Sequence, residues 1–125
     1  MFEILLLGIL AATPLVLVAL AYALFSRQIK TAVRVAFIAW GAGAACVAYW
    51  TTFRCVYFSN DNTRVHGWPV PIVVFQRADS DSPWLDYVGP TTLLGYPMNF
   101  ALFMAAPSLL LLALAWRQHR RVLAA

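Results

Sequence analysis

A chain of 125 residues that is 62% hydrophobic and only 11% charged carries more apolar surface than one small water-soluble core can bury, so a bilayer is the expected solvent. Its formal charge of +4 falls in short basic groups beside apolar runs, a pattern that argues against nucleic acid as a partner and reads as a set of topology signals.

The first apolar run, about 2–25, is roughly 36 Å long as a helix, enough to span. Ala21-Tyr22-Ala23 has the look of a signal-peptide cleavage site, but Glu3 stands where such a peptide needs basic residues, so the run is expected to be a retained span. Gly8, Ala12, Leu15, Ala19 and Ala23 recur at spacings of three and four, a mostly small stripe expected to face protein. Ser26 to Thr31 follows as a tight polar connection. It carries Arg27 and Lys30 and leads into Arg34, which marks a cytoplasmic loop.

The second span is expected over about 33–53. Its centre holds Gly41, Gly43 and Ala45, and the pairs Ala39/Gly43 and Gly41/Ala45 are small residues four apart on opposite sides. A helix narrow on both sides suits the middle of a three-helix sandwich. Trp40 lies inside this span, where core packing is the ordinary reading and contact with another subunit, a lipid or a pigment the alternative.

The third span, about 95–116, is followed at once by Arg117, His119, Arg120 and Arg121, a cytoplasmic tail. Pro97 and Pro107 each remove a backbone donor, so kinks are expected. Gly95, Asn99, Ala106 and Ala113 share a narrow arc. Asn99 is the strongly polar side chain of this span, and a hydrogen bond from it to another helix is expected to contribute about 0.6 to 2 kcal/mol.

Between the second and third spans lies the segment 54–94. It holds three arginines against four aspartates, so it does not contest the orientation set by the basic flanks. The expected fold is therefore an all-α integral membrane protein, a single transmembrane domain with three spans and an ordered extracytoplasmic loop. Its amino terminus is outside and its carboxyl terminus cytoplasmic, in an inner, plasma-type membrane.

Within that loop, Ser59-Asn60-Asp61-Asn62-Thr63 is a turn cluster. Cys55 to Phe58 is expected to extend the second helix or begin a strand. Trp68-Pro69-Val70-Pro71 cannot be helical, and trans is the default for Trp68-Pro69. Ile72 to Phe75 reads as a strand or extended piece. Ser82-Pro83 has the form of a helix start, giving a one-turn helix over 83–88 with Trp84 and Tyr87 on one face. Together with Tyr49, Trp50, Tyr57, Trp68 and Tyr96, these rings suit the headgroup layer.

Chemistry is sparse. His66 titrates near neutrality, but no CxxC, HxxxH or carboxylate at helical spacing accompanies it, so a hydrogen-bonded surface histidine is favoured over a metal ligand. Asp79-Ser80-Asp81 suits a solvated loop better than a Mg²⁺ site. Cys46 and Cys55 are nine apart, about 13 Å along a continuous helix, too far for a disulfide. Span interiors hold no ionisable residue, unlike most transporters and channels.

These features point to a non-catalytic accessory or structural subunit of a larger inner-membrane complex. Its partners would be other integral membrane subunits and lipid, with no soluble substrate and no assigned cofactor. The candidate interaction loop is His66, Gly67, Trp68, Pro69, Pro71, Trp84 and Tyr87; the candidate helix-packing residues are Gly41, Gly43, Ala45, Gly95 and Asn99. The alternative is a stand-alone membrane protein holding a lipid or small hydrophobic ligand between the loop and the third helix.

Overall fold

The structure, a computed structural model, describes residues 2–89 and 91–123. Three helices, α1 (Phe2–Phe25), α2 (Thr31–Phe53) and α3 (Thr91–Leu123), are each long and apolar enough to cross a membrane. The segment between α2 and α3 is not the helix-bearing loop of an all-α protein. It folds into a four-stranded antiparallel sheet in meander order: β1 (Val56–Asn60), β2 (Thr63–His66), β3 (Val73–Gln76) and β4 (Leu85–Val88).

The reason for this difference is pairing. Leu85–Val88 was expected to be helical on the strength of Ser82-Pro83, but a single isolated turn satisfies few backbone groups. As β4 the same residues pair with β3, Val73 opposite Val88 and Gln76 opposite Leu85. Strand alternation also separates Tyr87 from Asp86, so Trp84 and Tyr87 do not meet on a helical face. The β1–β2 turn is built as its composition predicts: the Asn62 amide donates to Asn60 Oδ1 at 2.9 Å.

The helix limits also move. α2 begins at Thr31, with Arg34 Nη2 donating to Ser26 O at 2.6 Å across the connection. α3 runs on to Leu123, past the apolar limit at Trp116, because Arg, Gln and Leu are good helix formers whether or not lipid surrounds them. The Arg120 guanidinium lies 4.4 Å from the Trp116 ring centroid, one turn back. Pro97 and Pro107 lie inside a helix that is continuous through both.

The chain divides into two compact units, one formed by α1, α2 as far as Ala44 and α3 from Ala101, the other by Ala45–Phe100. In the first unit α1 buries Ile9, Ala12, Val16, Ala19 and Ala23, a heptad-like stripe that includes three of the five small-stripe positions. α3 buries Ala101, Met104, Ser108 and Leu111 at the same spacing. Gly41 faces Met104, whose Cε would lie 3.7 Å from an added Cβ. α2 has small residues on both sides but does not bury both within the chain. It buries Phe37, Ala44 and Ala48, while Ala39 and Gly43 are exposed and an added Cβ at Gly43 would meet nothing within 4 Å. Trp40, expected in a core, is 59% exposed. Ala45 is half-buried, and both cysteines are free thiols.

Candidate functional site

The second unit is built around the stretch that joins β2 to β3. Its backbone leaves the strand conformation at Gly67, which has φ of 91°; Trp68-Pro69 is cis, not the trans form expected by default. An added Cβ at Gly67 would lie 2.8 Å from Val70 O and 3.1 Å from Ile72 N, so both the conformation and the space demand glycine. Each amide here then finds a specific acceptor. Gly67 N–H donates to Cys55 O at 2.9 Å, Trp68 N–H to Thr51 O at 3.0 Å, and Ile72 N–H to His66 O at 2.8 Å.

Asn99 closes this arrangement. It is fully buried on α3, accepts the Val70 amide on Oδ1 at 2.9 Å and donates from Nδ2 to Thr52 Oγ1 on α2 at 2.8 Å. Nδ2 also lies 3.5 Å from Val70 O. One carboxamide therefore ties two helices to the β2–β3 connection, and Val70 and Thr52 are buried with it. One turn earlier, Gly95 packs directly against the Ile72 side chain, with Thr52 Cγ2 3.8 Å from where its Cβ would stand. Thr92 Oγ1 donates to Ile72 O at 2.6 Å. Pro69 and Pro71 are half-buried beside this junction, and Trp68 is 51% exposed.

The sheet has a second cluster. Arg64 stands opposite Phe75 and His66 opposite Val73, so strand alternation places Arg64, His66, Val73 and Phe75 on one face; Asp86, opposite Phe75, shares it. The Arg64 guanidinium carbon lies 4.8 Å from the Phe75 ring centroid and 5.3 Å from that of Trp84. The His66 ring is 5.1 Å from Phe75. Arg64 Nε and His66 Nε2 are both buried without a hydrogen-bond partner among the described residues. Burial first, and the Arg64 charge second, hold the His66 imidazole below its ordinary value of 6.5.

Arg77 shows what the same side chain does when it serves the fold. Its Nε donates to Asn62 Oδ1 at 3.2 Å, Nη1 to Ser80 O at 3.0 Å and Nη2 to Asp61 O at 2.9 Å, which pins two loops together. Trp84 lies beneath it, 4.7 Å from ring centroid to guanidinium carbon. In the adjoining turn the Ser82 hydroxyl and the Asp81 amide hold the Asp79 carboxyl below its ordinary 3.8. Asp79 and Asp81 are thus parts of a turn.

Of the residues singled out by sequence, His66, Gly67, Trp68, Pro69, Pro71, Gly95 and Asn99 come together in this unit. Trp84 joins Arg64 and Arg77, and Tyr87 is exposed on the opposite face of the sheet. Sequence reading missed Thr52 and Phe75. The signal for Phe75 is the alternation in Arg64-Val65-His66 and Val73-Val74-Phe75, which selects one face once the strands pair. Nothing in the sequence selects Thr52 from its neighbour Thr51. Among the described residues no group of three or more His, Cys, Asp or Glu side chains is placed to hold a metal ion. No family model matches the chain, and neither a curated protein nor a solved structure matches it.

Proposed function

We propose that the chain is an integral membrane protein, one transmembrane domain that serves as a small non-catalytic accessory subunit of a larger inner-membrane complex. In this reading α1, α2 and α3 span, and the sheet lies on the extracytoplasmic side. The observation that carries it is the outward side of α2. Ala36, Ala39, Gly43 and Cys46 are exposed at helical spacing, and Trp40, within this strip, and Trp50, beyond it, stand exposed at 59% and 62%. A glycine in a helix costs about 1 kcal/mol relative to alanine. Gly43 recovers nothing within its own chain, where the space around it is open. Close approach of another helix gives that glycine a use.

The test is purification of the tagged full-length chain from its native membranes, with the retained material read by mass and by absorption spectrum. Stoichiometric integral membrane subunits are expected, lost when Gly43 is replaced by leucine. A folded monomer that retains no protein in mild detergent contradicts the reading.

A second reading, a stand-alone protein that holds a lipid or small hydrophobic molecule, draws on a groove of about 160 Å³ lined by Val33, Phe37, Trp40, Pro107, Leu110 and Leu114. This groove is not at the loop and third helix, where Asn99 and Val70 occupy the space with their own contacts. A defined lipid retained at one per chain, with no protein, favours this alternative.

A further inference from the structure

We propose that Arg64 and His66 form a phosphate-binding site on one face of the sheet. Two nitrogens, Arg64 Nε and His66 Nε2, are buried two residues apart on the same side of β2 and meet no acceptor among the described residues. Phe75 touches both side chains, its ring centroid 4.8 Å from the guanidinium carbon and 5.1 Å from the imidazole. With Trp84 as its second ring contact, 5.3 Å away, the Arg64 guanidinium is packed against two aromatic rings, which restricts its freedom in advance of binding. Arg77, nearby, donates from Nε, Nη1 and Nη2 to backbone and amide oxygens, and Arg34, whose Nε is also unmatched among the described residues, donates from Nη2 to Ser26 O, whereas Arg64 Nε lies unmatched beside an unmatched imidazole nitrogen.

A tetrahedral oxyanion suits this pair. A planar carboxylate is filled by the guanidinium fork, whereas phosphate offers further oxygens to the imidazole that shares this face of the sheet. The charged groups of this face are Arg64 and Arg77 against the exposed Asp86, so the balance favours an anion. Burial is the larger cause of the lowered His66 midpoint and the Arg64 charge the smaller; an anion beside Arg64 offsets the second, so the imidazole reports occupancy. The phosphate could come from a lipid headgroup or be free in solution. The headgroup source rests on the membrane reading above; the site itself does not.

The experiment uses the full-length, ¹⁵N-labelled chain in a phosphate-free maltoside detergent. The Arg64 Nε–H and His66 ring resonances are followed at constant ionic strength during separate titrations with inorganic phosphate, short-chain phosphatidylglycerol and acetate. The expected result is a saturable shift with phosphate or the lipid, accompanied by a rise in the His66 titration midpoint. A response to the lipid alone assigns the headgroup; a response to inorganic phosphate, with or without the lipid, assigns the free anion as a ligand. Arg64→Gln is expected to weaken binding roughly tenfold or more, the scale of one charged hydrogen bond. Arg54→Gln removes the same charge from an exposed residue and should leave binding intact. Arg64→Lys keeps the charge but not the fork, and gives an intermediate loss if Arg64→Gln fails to fold. No response to either phosphate probe, equal losses in Arg54→Gln and Arg64→Gln, or a response to acetate as strong as to phosphate overturns the proposal. The acetate outcome points instead to an acidic side chain of a protein partner.

Discussion

The two ends of the β2–β3 connection treat polar atoms in opposite ways. At Val70 the amide, the carbonyl, the Thr52 hydroxyl and both ends of the Asn99 carboxamide are matched inside a fully buried junction. At His66, a few residues earlier, a ring nitrogen is buried and unmatched beside an arginine in the same condition. Buried polar groups are costly unless paired, so the closed end reads as architecture and the open end as a place for chemistry from outside the chain. Substitutions at the first should cost stability, and those at the second should alter binding or pH response while sparing the fold.

The largest effect is expected at Gly67. A valine there must adopt φ of 91° with its Cβ 2.8 Å from Val70 O, and the loss should be about 3 kcal/mol or more, read as a fall in thermal midpoint in detergent. Asn99→Leu keeps the side-chain branching but is bulkier and leaves the Val70 amide unpaired, with an expected loss of about 2 to 4 kcal/mol and faster hydrogen exchange at that amide. Thr52→Val removes one partner and should cost about 1 kcal/mol. In the double variant Thr52→Val/Asn99→Leu the losses should be less than additive, because both act on one hydrogen bond; strict additivity would break the junction apart as a unit.

His66 gives a smaller, pH-dependent effect. Its folded midpoint lies below 6.5, so the unfolded chain binds the proton more readily. The His66 contribution is therefore level above about that pH, and stability falls as pH drops through 6.5 toward the folded midpoint. His66→Asn should flatten that part of the curve, whereas Asn99→Leu should lower the curve without changing its slope. The smallest effect on the isolated chain is at Gly43, where alanine should add up to about 1 kcal/mol of helix stability. The same variant should retain less partner from native membranes, which separates a helix surface used by a neighbour from one that is merely open.

The three helices were legible because a run of twenty apolar residues has few other solutions. Asn99 stood out for the same reason, as a carboxamide in an apolar span. Its acceptor-side partner, Val70, lies 29 positions away and contributes a main-chain N–H, which leaves no trace in residue type. The sheet was half visible: the turn at Asn60–Asn62 and the extended run at Val73–Gln76 could be read locally. β4 could not, because Ser82-Pro83 is a sound local helix signal and the ladder with β3 overrides it. The cis Trp68-Pro69 bond runs against the general preference of X-Pro peptides, the default a local reading adopts.

The most direct test of the functional account is site-specific photo-crosslinking from α2 in native membranes. A photoreactive residue in place of Ala39 or Cys46, on the exposed side around Gly43, should yield a protein adduct of one defined mass, and one in place of buried Ala48 should not. Lipid adducts alone from both exposed positions would contradict the proposed role as a subunit.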